Sequence, residues 1–132
     1  MTLEYLGTIS ITPWLSVTRA ARAVEFYKLA FGAREVHRVE SPDGDVVSRL
    51  SVSGAEFWVA DESPDHGNVS PRLPNEASVK MVLTVPDPDV VFAEAVRAGA
   101  RVVYPPQDGH GWRVGRVIDP FGHHWEIGRP LA

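Results

Sequence analysis

Apolar and polar residues alternate with a period of two over residues 9–17, where Ile9, Ile11, Leu15 and Val17 fall on one face and Ser10, Thr12, Trp14 and Ser16 on the other. The pattern returns at 79–85, where Val79, Met81, Leu83 and Val85 oppose Lys80, Val82 and Thr84. A period of two with one wholly apolar face predicts a half-covered strand, its apolar side against a helix and its mixed side left for a cleft. Helical spacing follows each strand. Ala20, Val24, Tyr27 and Phe31 recur at i, i+4, i+7 and i+11, with Thr18 as expected N-cap and Gly32 just past the end. Asp87 as N-cap and Pro88 at the first helical position open a second helix, which turns Val91, Phe92, Ala95 and Val96 inward and stops at Gly99.

Three short strand patterns come after each helix. The first set is 35–40, a Pro42-Asp43-Gly44 turn, 46–52 and 56–60; the second is 101–104, 112–118, an Asp119-Pro120-Phe121-Gly122 turn and 123–127. The two halves share more than their order. Gly-Ala-Arg ends both helices, at 32–34 and 99–101, and Leu15-Ser16-Val17 precedes Leu83-Thr84-Val85 by 68 residues, as Gly54 precedes Gly122. The chain therefore reads as an α+β fold of two tandem βαβββ modules, 8–60 and 79–128, joined by a Pro-, Ser- and Asp-rich linker over 61–78, within one domain of residues 1–132. A module of about 60 residues holds a core poorly by itself. The two should pack together, within one chain or by exchange with a second copy, and a homodimer is expected.

Composition narrows the chemistry. None of the 132 residues is cysteine, which removes disulfides, thiolate nucleophiles and Cys-ligated metals; any metal must use His, Asp or Glu. A formal charge of −4 without a basic cluster argues against nucleic acid as a partner. No run approaches the roughly 20 apolar residues of a membrane span. Met1–Ile11 carries Glu4 and no basic residue before its apolar positions, so no secretory leader is expected and a cytoplasmic location is. There is no GxSxG and no HExxH, and the Gly-rich 109–115 segment has the wrong spacing, and the wrong following element, for a phosphate loop.

Several segments together resemble the vicinal oxygen chelate superfamily, which contains glyoxalases, extradiol dioxygenases and fosfomycin and bleomycin resistance proteins. They are Pro13-Trp14-Leu15-Ser16-Val17, Ala23-Val24-Glu25-Phe26-Tyr27, Ala30-Phe31-Gly32-Ala33, Gly111-Trp112-Arg113-Val114-Gly115 and Asp119-Pro120-Phe121-Gly122-His123-His124-Trp125-Glu126. The likeness runs from Ile9 to Gly128 and is nearest to the PhnB-like branch. It implies two modules whose mixed sheets curl around a cleft, usually completed in a homodimer, where metal-using relatives hold a divalent ion. The ligand positions carry over to Thr12, Trp58, Lys80 and Glu126, and a His often found in this branch falls on Ser48. Of the four, only Glu126 is a metal-ligand type.

A protonated lysine repels a divalent cation, so Lys80 and Glu126 are expected to form an ion pair where the metal would sit, and no cofactor is expected. The rival arrangement uses His124 and Glu126, two apart on one strand face, with His66 or His110 as third ligand to Fe, Zn, Mn or Ni. The aromatic and hydroxylic residues on the mixed faces suit an organic-ligand pocket: Trp14, Ser48 and Trp58, with Trp112 and Arg113 nearby. Trp125, beside Ile127, is assigned to the core. The ligand set is thus Thr12, Trp14, Ser48, Trp58, Lys80, Trp112, Arg113, His124 and Glu126. The expected function is metal-free binding of a small aromatic or polar molecule, with sequestration of the resistance type as one form. The alternative is a metal-dependent glyoxalase-like lyase, isomerase or dioxygenase. Acid–base catalysis by Glu126 or His124 also stays open.

Overall fold

A computed structural model of the chain describes residues 7–73 and 77–132. The elements run β1 (Trp14–Val17), α1 (Ala20–Phe31), β2 (Arg34–Glu40), β3 (Val46–Val52), β4 (Ala55–Asp61), β5 (Lys80–Thr84), α2 (Pro88–Ala98), β6 (Arg101–Gly109), β7 (Trp112–Ile118) and β8 (His124–Pro130). Each βαβββ unit forms one mixed sheet, ordered β1-β4-β3-β2 and β5-β8-β7-β6. The first strand of each pairs in parallel with the last, Trp14 opposite Trp58 and Val82 opposite Glu126, and the remaining pairs are antiparallel. The repeat seen in the sequence is thus a repeat of register.

Both helices lie on the same side of their sheets and pack on each other, so the two modules share one core. Ala20, Val24, Tyr27 and Phe31 are buried as their spacing predicts. Trp125 from β8 reaches across the module boundary to Tyr27, Phe31 and Phe57, with ring centroids 5.5, 4.6 and 5.5 Å away. Asp119, in the turn before β8, accepts from Tyr27 Oη at 2.5 Å, Trp125 Nε1 at 2.9 Å and the backbone N–H groups of Phe121 and His123 at 2.9 and 3.0 Å. Four donors satisfy a buried carboxylate without a cation. The same turn is held to β1 by His123, whose Nε2–H donates to the Ser16 carbonyl at 2.9 Å.

Two expectations are corrected. The first strand begins at Trp14 rather than Ile9, and Ile9 and Ile11 are 96% and 97% exposed. Its last ladder bond runs from Trp58 N–H to the Pro13 carbonyl at 2.8 Å; Pro13 has no N–H of its own to continue the pairing. Thr18 does not cap α1. Arg19 takes the cap position with no side-chain bond, and Asp61 supplies the acceptor from the end of β4, taking Ala20 N–H at 2.9 Å and Val46 N–H at 2.7 Å. The second helix keeps its expected cap, with Asp87 accepting from Val90 N–H at 3.4 Å.

Candidate functional site

Strand parity gives each sheet one face on the core and one open face. On the first sheet Trp14 and Trp58 are cross-strand partners on the open face, stacked at 6.0 Å and 28°. Arg49, opposite Trp58 on β3, lays its guanidinium 5.4 Å from the Trp58 ring centroid and approaches Glu56 at 3.5 Å. Two sequence-assigned residues are not at this face. Thr12 is exposed and precedes β1, so it lies beyond the last paired residue. Ser48 is paired with Val59, has the parity of Val46 and Leu50, and is fully buried on the core side, where its hydroxyl donates to Glu35 Oε2 at 2.6 Å.

The open face of the second sheet gathers more. Lys80 Nζ lies 3.0 Å from Glu126 Oε1, the ion pair expected of those positions, and Tyr104 Oη donates to Glu126 Oε2 at 3.0 Å. Burial alone would raise the Glu126 carboxyl pKa. The hydrogen bonds from Lys80 and Tyr104, with the charges of Lys80 and Arg116, outweigh it and hold the pKa below the ordinary glutamate value. Tyr104 moves the other way, raised first by burial and then by its bond to Glu126. Next to this trio, Arg116 Nε donates to His124 Nδ1 at 3.1 Å, so that nitrogen carries no proton. Toward the β6–β7 turn the face opens into a pocket of about 280 Å³ lined by Val82, Gly109, His110, Trp112, Val114, Glu126 and Gly128.

Arg113 is placed differently from its expected role. It has the opposite parity to Trp112 and projects to the helix side, where Nε and Nη2 each sit 2.7 Å from an oxygen of Asp89 on α2 and Nη1 sits 3.0 Å from Asp108. Tyr104 and Arg116 were missed by the sequence reading. Arg116 had a signal, since it continues the alternation Trp112, Val114, Arg116. Tyr104 had none, because β6 is bulged between Val102 and Tyr104 and again between Tyr104 and Gln107, and simple alternation misplaces it.

The donor set does not fit a divalent ion. Both Glu126 oxygens already accept from Lys80 and Tyr104, the His124 nitrogen facing Arg116 is taken, and two cations stand within the cluster. His66, the possible third ligand, is bonded through Nδ1 to Ser63 Oγ at 2.7 Å in the short turn after β4, and His110 sits in the β6–β7 turn. Among the described residues no three His, Asp or Glu side chains are grouped as a metal would need.

The model of the family described as a glyoxalase-like domain matches residues 14–128, both modules and the whole of this face. The chain belongs to that family. A protein from Burkholderia phytofirmans PsJN described as a glyoxalase/bleomycin resistance protein/dioxygenase family enzyme, 16% identical at a TM-score of 0.69 over 92% of this chain and 96% of that one, shares the fold. TioX from Micromonospora sp. ML1 shares 28% identity with this glyoxalase-like domain at a TM-score of 0.73, over 94% of this chain and all of that one. An Arabidopsis thaliana gene product shares 31% at a TM-score of 0.67, over 92% and 98%. Fosfomycin resistance protein FosX from Mesorhizobium loti, 18% identical at a TM-score of 0.65 over 99% and 94%, shares the fold. An uncharacterized Mycobacterium bovis protein is 39% identical over 127 residues, covering 92% of this chain and 84% of its own. No helix among the described residues is long and apolar enough to cross a membrane.

Proposed function

We propose that this glyoxalase-like domain binds a small aromatic or polar organic molecule on the open face of its second sheet without a metal. The observation that carries this reading is the engagement of Glu126. The one carboxylate at a family ligand position is tied on both oxygens by protein donors, and the cation that ties it most closely, Lys80, replaces a second ligand. Beside it the pocket offers an indole and two valines for apolar contact, with polar groups at one end for orientation. At about 280 Å³ it falls just below the usual range of organic-ligand pockets, roughly 300–1,000 Å³, which restricts it to a small molecule. Sequestration suffices for this geometry, and a fosfomycin resistance protein stands among the structural neighbours that share the fold.

The open faces also support a homodimer. Trp14 is 47% and Val82 60% exposed on curved sheet faces that a second copy would cover, completing each cleft. Light scattering at micromolar concentration should give twice 14.5 kDa, and a monomer would remove this part of the proposal.

The test of metal-free binding is elemental analysis of protein purified without chelators, with tryptophan fluorescence titrated by a metabolite and antibiotic panel in the presence and absence of EDTA. Binding unaffected by EDTA, from protein without stoichiometric metal, is the expected result. Stoichiometric Fe, Zn, Mn or Ni, with binding or turnover lost in Glu126→Gln, would replace this reading with the metal-dependent lyase, isomerase or dioxygenase. That rival draws on the shared face of His124 and Glu126.

A further inference from the structure

The polar end of the second-sheet pocket is short of negative charge. Among the described residues its cations are Lys80 and Arg116 and its carboxylate is Glu126, the one of the three that lines the pocket. Lys80 is spent on Glu126. Arg116 enters no ion pair among the described residues, and its one hydrogen bond to His124 uses Nε and leaves the two Nη groups of the fork. Hydrogen-bonding capacity is equally one-sided. Each Glu126 oxygen already accepts a bond, and the donors this end still offers include the two Nη groups of Arg116. A bound molecule should therefore bring acceptors and a negative charge.

The placement of that charge follows from the strand. Trp112, Val114 and Arg116 lie on one face of β7, and Arg116 stands opposite Glu126 on β8 and Tyr104 on β6. Alternate residues on a strand are roughly 6.7 Å apart. A single ring resting on Val114, Val82 and the Trp112 indole thus has an acidic substituent within reach of the guanidinium. Gly128, opposite Val114, leaves no room for a side chain: a Cβ there would lie 2.9 Å from Val114 Cβ and 2.5 Å from the Arg113 carbonyl oxygen.

We propose that Arg116 makes this pocket selective for flat organic anions, carboxylates first, held with the ring against Trp112, Val82 and Val114 and the acid on the guanidinium fork. This rests on the metal-free binding reading and adds the chemical class of the ligand.

Matched probes test it on the whole chain. Benzoate is compared with benzamide, and 2-naphthoate with 2-naphthamide, by tryptophan fluorescence and calorimetry. Each acid should bind the native protein at least about tenfold more tightly than its amide, the difference expected when a neutral partner replaces a charged one at a guanidinium. The preference should shrink as salt is raised, because the Debye length falls to about 3 Å at 1 M. Arg116→Gln should abolish the preference, the acids losing more affinity than the amides, and Arg116→Lys should keep part of it, which guards against loss of fold in the first variant. Acid and amide binding equally well would overturn the inference and leave the pocket reading intact. An acid preference that survives in Arg116→Gln would also overturn it, by assigning recognition to another group. Failure of every acid and amide to bind would overturn both.

Discussion

Tyrosine 27 ties the modules together through a single oxygen, and Tyr27→Phe removes that oxygen with little change of shape. The side chain is fully buried on α1 and its hydroxyl donates to Asp119 Oδ2 at 2.5 Å. After the substitution Asp119 keeps three of its four donors, Trp125 Nε1 and two backbone N–H groups, so no orphaned charge is created. The cost should be that of one hydrogen bond to a charged group, about 2 kcal/mol. For a domain of this size that lowers Tm by roughly 6–12 °C. Urea unfolding followed by circular dichroism should show a lower midpoint with an unchanged slope. The size of the gap at pH 7 reports the bond, and its pH dependence reports the buried hydroxyl that makes it. The Tyr27 pKa is raised well above 10.0, chiefly by burial, then by the Asp119 charge and the hydrogen bond to it. A raised folded-state pKa means stability that is full below the unfolded value near 10 and is lost as pH rises toward the folded value. The gap between native protein and Tyr27→Phe should therefore close above pH 10 at about 1.4 kcal/mol per pH unit. Tyr104 is common to both proteins and cancels. A gap under about 0.5 kcal/mol at pH 7, or one that stays constant above pH 10, would refute the role assigned to this bond.

The cluster at Glu126 predicts an acid-side signature: its carboxyl should titrate below 4.5 in the native protein by carbon NMR and move upward in Lys80→Met, where burial loses its main counterweight. An unmoved value would show that Lys80 does not hold it. Asp61→Ala should cost about 1–3 kcal/mol in chemical unfolding, since it strands the Ala20 and Val46 N–H groups, while Thr18→Ala should stay within about 0.5 kcal/mol. Equal effects would return the cap to Thr18. Gly115→Ala should destabilise by about 1–3 kcal/mol, because the new Cβ would lie 2.7 Å from the Phe92 ring and 2.8 Å from Pro106 N. Phe92→Leu should recover part of that loss, and its failure to do so would place the strain in the backbone of β6.

Periodicity and repeat carried the sequence reading a long way. The 68-residue offset that relates Trp58 to Glu126 also relates their partners, Trp14 and Val82, so pairing in one module could be read from the other. The burial of Trp125 followed from the same logic, whereas the Lys80–Glu126 contact was expected from the positions that the family resemblance assigns. Side-chain parity was where the reading slipped. Trp112 and Arg113 are neighbours on a strand and cannot share a face, yet both were assigned to the ligand, and Arg113 went to Asp89 on the helix instead. Ser48 and Arg49 pose the same choice, and the open face belongs to Arg49. Bulges defeat parity altogether. The break between Glu35 and His37 and the two in β6 shift facing by a residue with no marker that alternation can detect, so Tyr104 emerged only in three dimensions. Asp61 was hidden by distance, since it caps a helix that starts far upstream in the chain.

The crossing of Trp125 into the first module's core bears on how the chain is made as well as how it is held. On a ribosome β1 to β4 emerge first, but the rings of Tyr27, Phe31 and Phe57 await a partner that arrives with the last strand. Asp119, which receives the Tyr27 hydroxyl, comes only a few residues earlier. The nascent first module would thus carry an unsealed aromatic surface through most of synthesis, and final folding would be one late, long-range step. A chain that stops short of residue 124 loses β8, so truncation there should remove the first module's core along with the second sheet.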